Sequence, residues 1–447
     1  MSEPFAGGNE GGKHRHDLPV LDYGIEDVLA NQGALRAAPK HAVKARKSPW
    51  NRKRDRLIAL GIAVAVLVAA LLNWLTSDNR ATSSTTAPPP AGLSEAPQAV
   101  PGSLTEIWSA PSSATPVPIG EGNSVVTADG GEVDGRDPQT GEIRWHYARD
   151  LPLCTAALAG ARVNAVYRKD TGCSEVTQLD PGTGRRTAQR NGDAELGTQL
   201  LVDGNHTTTT GKKLLNVWRE DLVKSMEYGE VPAIVNPQRQ PRTGCTYGST
   251  AVGSGKVGVI ERCAGDPADR FTVFKDTGDD ADAPKVVFSS VLAGRSAKVV
   301  AMTGDFAAIA LPEQKLLVIY GADGNQRSAY PLQLPDADLA QDPPGGAMIT
   351  SRTQDGIYWF TGSKTMALSA EDLTPRWTLD NATGPGVLFA GQLVVPIKGG
   401  LAVLNETDGS TIRTVGVDRR GYPGPVRLSS AGPVLLEQRG NTLAALR

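Results

Sequence analysis

From residue 100 onward, short apolar runs alternate with polar turns. Runs such as 316–319 (LLVI) and 401–404 (LAVL) end at a turn, and segments such as 142–145 (EIRW) alternate polar and apolar residues. Strict alternation is typical of a strand with one buried face, and a run of four or five apolar residues is typical of a fully buried strand. The pattern therefore predicts an all-β domain over residues 104–447.

The turn with the clearest chemistry is 137–141 (DPQTG). We expect Asp137 to accept backbone hydrogen bonds, the following proline to preset φ, and Gly141 to adopt a positive φ that other residues avoid. The same turn returns, with changes, at Asp180–Gly184 (DPGTG) and at 405–409 (NETDG), which ends in Gly409. These copies indicate a repeated β unit.

Weaker copies of the turn complete the repeat, and the register of tryptophans supports them. They begin at Trp218, Phe274, Tyr320 and Ser369. Trp377 lies eight residues after Ser369, as Trp145 lies eight after Asp137. This shared position favours packing roles for Trp108, Trp145 and Trp377 over a stacking platform for a ligand.

The spacing of the turns predicts the architecture. Successive turn starts are 36 to 56 residues apart, and a last apolar strand ends at Arg447. Repeats of this length with about four strands each are typical of a β-propeller. Eight starts predict eight blades, with seven as the alternative. The last blade would combine both chain ends, because 104–108 (LTEIW) resembles 142–145. Two stacked β-sandwiches are a further alternative, but they give no reason for the tryptophan register.

The segments 137–145 (DPQTGEIRW) and 179–184 (LDPGTG) resemble the repeat of pyrroloquinoline-quinone-like (PQQ-like) propellers. Such repeats occur in quinoprotein alcohol dehydrogenases and in the BamB lipoprotein of outer-membrane assembly. The resemblance covers residues 100–447 and implies a fold rather than a site. In the dehydrogenases it also implies PQQ and calcium in the central channel, often beneath a disulfide between adjacent cysteines. This chain has no adjacent cysteines, and the calcium ligands map onto none of its positions. We therefore predict no catalytic, cofactor-binding or metal-binding residues.

The first hundred residues differ in character from the repeats. Residues 1–56 carry eleven Lys or Arg against seven Asp or Glu and too few apolar residues for a core, which predicts a mostly disordered tail. Residues 57–75 form an uncharged stretch of nineteen residues, long enough for one transmembrane helix. Basic residues precede it, so the positive-inside rule places the tail in the cytoplasm. An uncleaved signal-anchor fits better than a signal peptide, because the preceding region is long and no clear cleavage site follows.

Two further segments are predicted around the membrane span. Leu21, Ile25, Val28 and Leu29 lie on one face of a short helix that could dock a cytoplasmic partner through residues 18–30, although a helix without a partner is the alternative. Residues 76–103, rich in Ser, Thr and Pro, predict an extended linker that tethers the propeller without pressing it against the membrane.

The cysteines are consistent with export. The chain has four, spaced as two pairs: Cys154 with Cys173, and Cys245 with Cys263. The separations of 19 and 18 residues favour one disulfide across neighbouring strands within each of two blades, although three connectivities are formally open. An even number of cysteines confined to the predicted exported part is typical of an oxidising compartment.

The charge of the chain and its motifs exclude some classes of function and favour others. The chain has 46 Lys or Arg and 48 Asp or Glu, and with the basic tail removed the exported part is mildly acidic, which argues against nucleic acid. Asp276–Asp282 (DTGDDAD) is interpreted as an exposed loop rather than a calcium site. Polar insertions at 230–243 and 336–346 are candidate binding loops. The sequence thus favours a non-catalytic envelope scaffold that binds envelope proteins through its loops. A membrane-anchored PQQ-dependent dehydrogenase and a receptor for a small envelope ligand are the alternatives.

Overall fold

The computed structural model describes residues 52–447 apart from 76, 78, 79, 93, 94, 122, 279 and 343. The tail face formed by Leu21, Ile25, Val28 and Leu29 lies outside the described residues. Helix α1 (Lys53–Leu75) is long and apolar enough to cross a membrane. It begins four residues before the predicted span, because helical hydrogen bonding continues into the basic flank, where Asp55 lies in the first turn.

The strands form eight antiparallel sheets, which confirms the eight-bladed β-propeller. Blades 1 to 4 contain, in order, β3 (Ile119–Glu121), β4 (Ser124–Asp129), β5 (Glu132–Arg136) and β6 (Ile143–Arg149); β7 (Leu153–Ala159), β8 (Arg162–Lys169), β9 (Gly172–Leu179) and β10 (Arg186–Ala194); β11 (Leu200–Asp203), β12 (His206–Thr209), β13 (Leu214–Trp218) and β14 (Lys224–Gly229); β15 (Thr246–Val252), β16 (Lys256–Arg262), β17 (Arg270–Lys275) and β18 (Val286–Val291).

Blades 5 to 8 continue the same four-stranded plan. They contain β19 (Lys298–Met302), β20 (Phe306–Leu311), β21 (Leu316–Gly321) and β22 (Gln326–Pro331); β23 (Ile349–Arg352), β24 (Gly356–Phe360), β25 (Lys364–Ser369) and β26 (Pro375–Asp380); β27 (Val387–Phe389), β28 (Gln392–Ile397), β29 (Gly400–Leu404) and β30 (Thr411–Gly416); β31 (Val426–Ala431), β32 (Val434–Arg439), β33 (Thr442–Leu446) and β2 (Glu106–Pro111). A short helix, α2 (Asp336–Ala340), lies between blades 5 and 6.

Blade 8 closes the ring from both ends of the chain, as predicted. Strand β2 pairs with β33 in antiparallel register. The pairing is extended by two backbone hydrogen bonds between Thr105 and Arg447, at 2.9 and 3.0 Å. The two chain ends are therefore joined in one sheet, with β2 as its outer strand.

The repeated turns have the geometry that their sequences predict. Asp137 accepts hydrogen bonds from the backbone N–H groups of Gln139 and Thr140 at 2.9 and 3.0 Å, and Gly141 has a φ of +75°. In two degraded copies a leucine takes the position of the glycine. Leu222 and Leu373 both have a φ of +62° and are buried.

The hydrophobic core lies between blades as well as within them. One cluster joins Leu317 and Ile319 of blade 5 to Ile357 and Leu368 of blade 6. Trp145 and Trp218 are the largest fully buried side chains. Each blade therefore buries apolar side chains against its neighbour.

The segment after α1 is not the free linker that the sequence predicted. Strand β1 (Thr82–Thr85) pairs antiparallel with β6 and becomes a fifth strand on the outer edge of blade 1. Ala87 donates its N–H to the Thr183 carbonyl of blade 2 at 3.0 Å. The reason is that an outer strand has unpaired backbone groups, and a polar Thr-Ser-Ser-Thr segment satisfies them without burying apolar side chains. We call residues 80–92 the strap.

Both disulfides form within single blades, but they differ in placement. Cys245 and Cys263 flank the neighbouring strands β15 and β16. Cys154 lies in β7 and Cys173 in β9, so their bond spans β8, which corrects the prediction of neighbouring strands for this pair. The physical reason is where the strands end. The two cysteine pairs have nearly the same sequence separation, but Cys173 lies just beyond the turn that ends β8, whereas Cys263 lies directly after β16.

Candidate functional site

The first strands of several blades surround a central channel of about 350 Å³. Residues of β11, β15, β19, β23 and β31 line it. The wall combines aliphatic side chains, such as Leu200 and Val252, with polar ones, such as Gln199, Thr250 and Thr350. Cavities that present placed polar groups beside apolar surface are typical ligand sites, so the channel is a candidate functional site.

A loop between blades 5 and 6 contacts blade 4 and the residue before the first strand of blade 3. Gly345 donates its N–H to the carbonyls of Tyr247 and Gly248 in blade 4, both at 3.0 Å. Ala347 donates to Oε1 of Gln199, next to blade 3, at 2.9 Å. Ala347 and Met348 themselves line the channel. These two lining residues directly follow the insertion predicted at 336–346, whose own role as a binding loop stays a prediction.

The base of this loop is anchored by charged side chains. Lys298 is almost fully buried and donates from Nζ to the Leu339 carbonyl at 2.6 Å, and burial lowers its pKa. Asp338 accepts hydrogen bonds from the N–H and hydroxyl of Ser363 at 3.0 and 2.8 Å. Arg262 of blade 4 pairs with Asp342 at 2.7 Å. These contacts bond the loop to blades 4, 5 and 6.

The charged residues among the described channel lining are Asp203, Arg352 and Arg427. Asp203 accepts a hydrogen bond from the Gly255 N–H at 2.6 Å. Arg352 reaches the Met302 carbonyl at 3.5 Å. Burial lowers the pKa of Arg427 to about 10. The sequence alone did not single out Arg427, because only the fold shows that residue 427 faces the channel.

The 230–245 loop, between β14 and β15, is held by buried carboxylates. Asp282 accepts hydrogen bonds from the N–H groups of Val235 and Asn236 at 2.9 and 2.7 Å, and from the Asn236 amide at 2.9 Å. Arg242 pairs with the fully buried Glu261 at 2.7 Å. These contacts and the adjoining Cys245–Cys263 bond fix the loop to blade 4.

The acidic segment 276–282 is therefore only partly an exposed loop. Asp276 and Asp282 are both buried, which the sequence analysis did not predict. Asp276 pairs with His206 at 2.9 Å, and burial is the main cause of its raised pKa. Hydrogen bonds from Asn236 hold the pKa of Asp282 below its ordinary value. These carboxylates are structural anchors in the described part of the segment.

Two groups of side chains have the donor types of a metal site. Glu132, Asp134 and His146 lie close together, but Asp134 already accepts from Arg136 at 3.0 Å and is bonded to His146 Nδ1 at 2.7 Å. Cys245, Glu261 and Cys263 form the other group, and both of its sulfurs are in a disulfide. Neither group presents free ligands together.

The channel donors do not fit the calcium ion that accompanies PQQ in the dehydrogenases. Calcium requires several oxygen ligands, with carboxylates prominent among them. Among the described lining residues only Asp203 offers a carboxylate, and it is bonded to Gly255. The two arginines would repel a cation.

The tryptophans singled out from the sequence lie between blades rather than in the channel lining. Trp108, Trp145 and Trp377 each donate an indole N–H to a carbonyl in the turn of the following blade, at 2.8, 2.8 and 3.0 Å. The glycines of these turns, Gly141, Gly184 and Gly409, lie against the indole rings. These contacts are packing contacts between blades.

Comparison with known proteins is consistent with this architecture. Residues 101–237 match the family model described as outer membrane protein assembly factor BamB. No curated protein matches the chain. The computationally designed Ika8 protein has 12% sequence identity, aligns over 77% of this chain and 99% of its own, and gives a TM-score of 0.52. At such identity the likeness shows the propeller fold alone.

Two natural propellers are also similar. The C-terminal WD40 domain of Sif2 has 11% identity over 78% of this chain and 99% of its own, with a TM-score of 0.47. Quinohemoprotein alcohol dehydrogenase ADHIIG from Pseudomonas putida HK5 has 9% identity over 80% and 78%, with a TM-score of 0.47. The eight sheets define the domain as a β-propeller, and its repeat turns and the match over residues 101–237 make it similar to PQQ-like β-propellers.

Proposed function

We propose that this protein is a non-catalytic interaction scaffold of the cell envelope, anchored by α1 and exposing its propeller outside the cytoplasm. The match of residues 101–237 to the BamB model supports an envelope role. The length and apolar composition of α1, after a basic segment, support the anchor and its orientation. The envelope partner would bind through loops of the propeller.

The observation that carries the proposal is the conformation of the 230–245 loop. Ile234 is 49% exposed and Val235 is 82% exposed, although the backbone of Val235 is bonded to Asp282. An apolar tip on a rigid base loses little conformational entropy on binding, which is the property of a good docking element. We therefore assign partner binding to this tip.

The test is photocrosslinking from the loop in native membranes. A photoreactive residue at Val235 should give one discrete adduct, and Ile234→Asp in the same protein should remove it. The matched control carries the photoreactive residue at Thr407, an exposed position in the turn of blade 7. Because Ile234 and Val235 are exposed, these changes leave the core intact. Equal labelling from both positions, or none from Val235, would contradict the proposal.

We also propose that residues 18–30 bind a cytoplasmic partner. The pattern of Leu21, Ile25, Val28 and Leu29 is the support for this part. Deletion of residues 1–40 should remove the cytoplasmic protein from crosslinked complexes and leave the Val235 adduct unchanged. Retention of the same cytoplasmic protein after the deletion would exclude this role for the tail.

The alternative of a PQQ-dependent dehydrogenase has a direct test. We propose that no PQQ and calcium pair is used, because the described channel lining has a single carboxylate, Asp203, for a calcium ion, and that carboxylate is bonded to Gly255. Purified protein supplied with PQQ and calcium should give no substrate-dependent dye reduction with a panel of alcohols. Sustained reduction that requires both additions would establish the enzyme and overturn the scaffold as the principal function.

A further inference from the structure

The strap presents a row of exposed hydroxyl groups on the outside of blade 1. Residues 82–86 have the sequence TSSTT, and three prolines follow at 88–90. Residues 83–86 are all exposed, the first three because they lie in β1, the outermost strand of its sheet. Within the described part of the chain, the side chains of these four residues form no hydrogen bond. Their hydroxyl groups are therefore open to solvent.

The outer edge of β1 is also open. Because β1 is the last strand of its sheet, the backbone groups on its outer side can pair with another chain. Such edges are commonly protected by charged side chains, but no charged residue occurs at 81–94, and threonine favours an extended strand. A bulky polar group on the strap would cover this edge.

A second hydroxyl-rich segment of the chain is buried. Thr207, Thr208, Thr209 and Thr210 form an uninterrupted run, but each residue is at most 3% exposed. The first three lie in β12, which has a strand on both sides. The run therefore resembles the strap in composition, whereas its hydroxyl groups are inaccessible to an enzyme.

A third segment is as rich in proline as the strap, but its hydroxyl groups have partners. It comprises residues 111–118 (PSSATPVP). Ser112 and Thr115 are buried, and their hydroxyl groups are bonded to each other. Ser113 is exposed, and its hydroxyl donates to the Asp129 carboxylate. Composition does not separate the three segments, whereas the fold presents exposed and unbonded hydroxyl groups on the strap.

We propose that the strap is O-glycosylated at one or more of residues 83–86, and that the sugar covers the outer edge of β1. Segments rich in Ser and Thr with proline are typical acceptors of O-linked sugars. The site rests on the export of the propeller in the proposed function. It is independent of the 230–245 loop and of the channel.

The transfer requires an activated sugar, which is a lipid-linked sugar phosphate used by a membrane-bound transferase. The Ser or Thr hydroxyl oxygen forms a bond to the anomeric carbon of the sugar, and the bond from that carbon to the phosphate oxygen breaks. The lipid phosphate leaves with the electron pair, and the hydroxyl proton passes to a base of the transferase. Thr82 is the seventh residue after Leu75, the end of α1, which is at most about 25 Å of extended chain. The strap is thus within reach of a membrane-bound donor.

The test is mass spectrometry of the full-length protein, purified from its native membranes and digested with trypsin. The strap lies in peptide 81–136, and electron-transfer fragmentation locates O-linked sugars within it. We expect whole sugar residues on residues 83–86 and none on 111–118. Peptide 191–212 contains the buried threonine run and is the internal control. A bare strap, a phosphate in place of a sugar, or comparable modification of either other segment would overturn the proposal.

Two variants then locate the acceptors. The combined change Ser83→Ala, Ser84→Ala, Thr85→Val and Thr86→Val should remove the sugar from peptide 81–136, whereas Ser113→Ala should retain it. Sugar that persists in the combined variant would exclude these four residues as the acceptors. The covering role is tested with wild-type protein from a host without O-glycosylation, which should form more dimers in detergent than the native protein. Equal dimer fractions would exclude the sugar as a cover of the β1 edge.

The same digest separates failure of this site from failure of the proposed export. Peptides 150–162 and 170–185 contain Cys154 and Cys173, and a disulfide between them is expected in an oxidising compartment. A bare strap with these peptides linked would overturn the glycosylation alone. A bare strap with both cysteines reduced would overturn the export on which the glycosylation and the scaffold both depend.

Discussion

The indole Nε1 of Trp145 donates a hydrogen bond to the Pro181 carbonyl oxygen at 2.8 Å and so joins blade 1 to the turn of blade 2. The same ring lies over Gly184, where an added Cβ would be 2.6 Å from the indole. Trp108 and Trp377 repeat the contact at the turns ending in Gly141 and Gly409. The tryptophan of one blade and the glycine of the next therefore form one structural unit.

At two blade interfaces the order of sizes is reversed: a small residue in one blade is followed by a large residue in the turn of the next. At the register position of Trp145, blade 2 has Ala188 and blade 5 has Ser328. The turns that follow have Leu222 and Leu373 in place of the glycine. Each leucine is buried, whereas an aromatic ring at the preceding position would occupy the same space. The interfaces thus conserve volume by pairing a large residue with a small one.

The first prediction concerns Gly184→Ala. Its φ of +72° disfavours an L residue, and its Cβ would also overlap the indole of Trp145. Gly160→Ala is the control, because Gly160 has a φ of +57° and open space at the Cβ position. We expect a loss of about 1 kcal/mol in the free energy of unfolding for Gly160→Ala and about 3 kcal/mol or more for Gly184→Ala. Denaturant unfolding measures both, and equal losses would refute the overlap argument.

The second prediction introduces the small-then-large combination at the interface between blades 1 and 2. Trp145→Ala alone should reduce the free energy of unfolding by about 3 to 5 kcal/mol, since a fully buried ring is removed. Trp145→Ala combined with Gly184→Leu should recover part of that loss, as Ala188 and Leu222 do at the next interface. A double-mutant cycle measures the coupling between the two sites. If the double variant loses as much free energy of unfolding as the two single variants together, or more, the two kinds of interface are not interchangeable.

The architecture followed from the sequence because its signals are local. Asp137, Gly141 and their repeats determine turn geometry within a few residues, so the number of blades could be counted from them. In the repeat that begins at Ser369 the turn has no glycine, but Trp377 still lies eight residues after its first residue. Ring closure followed from the apolar strand that ends at Arg447 without its own turn.

The features that the sequence did not reveal depend on tertiary contacts. The strap strand Thr82–Thr85 has no apolar pattern, and its pairing depends on the free edge of β6. Cys173 was assigned to the wrong strand because the sequence separation of two cysteines does not show where β8 ends. Arg427 follows a buried valine like many strand residues, and only the assembled ring places it in the channel. Candidate chemistry was therefore harder to predict than the fold.

The third prediction tests the strap. Asp150 donates its N–H to the Ala81 carbonyl at 3.1 Å, and antiparallel alternation then directs the Ser83 N–H toward Ala148 and the Ser84 N–H away from β6. Ser83→Pro should release the strap and make residues 80–92 sensitive to protease in the full-length protein. Ser84→Pro removes an N–H that faces outward and is the matched control. Similar cleavage of the two variants would contradict this pairing.

The fourth prediction is a pH dependence of the 230–245 loop. Hydrogen bonds from the Asn236 side chain and backbone lower the pKa of Asp282 below its ordinary value of 3.8. A depressed pKa means that the folded loop favours the carboxylate, so this stabilisation is complete above the ordinary value and is lost as pH falls through the lowered one. We expect protection factors of the Val235 and Asn236 amides to fall over that acid range.

Substitutions measured at neutral pH separate the contribution of the Asp282 carboxylate from the other effects of acid on amide protection. Asp282→Asn removes the charge that accepts from Val235 and Asn236, and should reduce protection of both amides about tenfold or more, as loss of a charged hydrogen bond implies. Asp323→Asn is the control, because Asp323 also has a lowered pKa through Asn325 but lies in the turn of blade 5. If Asp282→Asn keeps wild-type protection, Asp282 does not hold the loop, and the rigidity of the exposed Val235 tip would have to come from Arg242 and the Cys245–Cys263 bond.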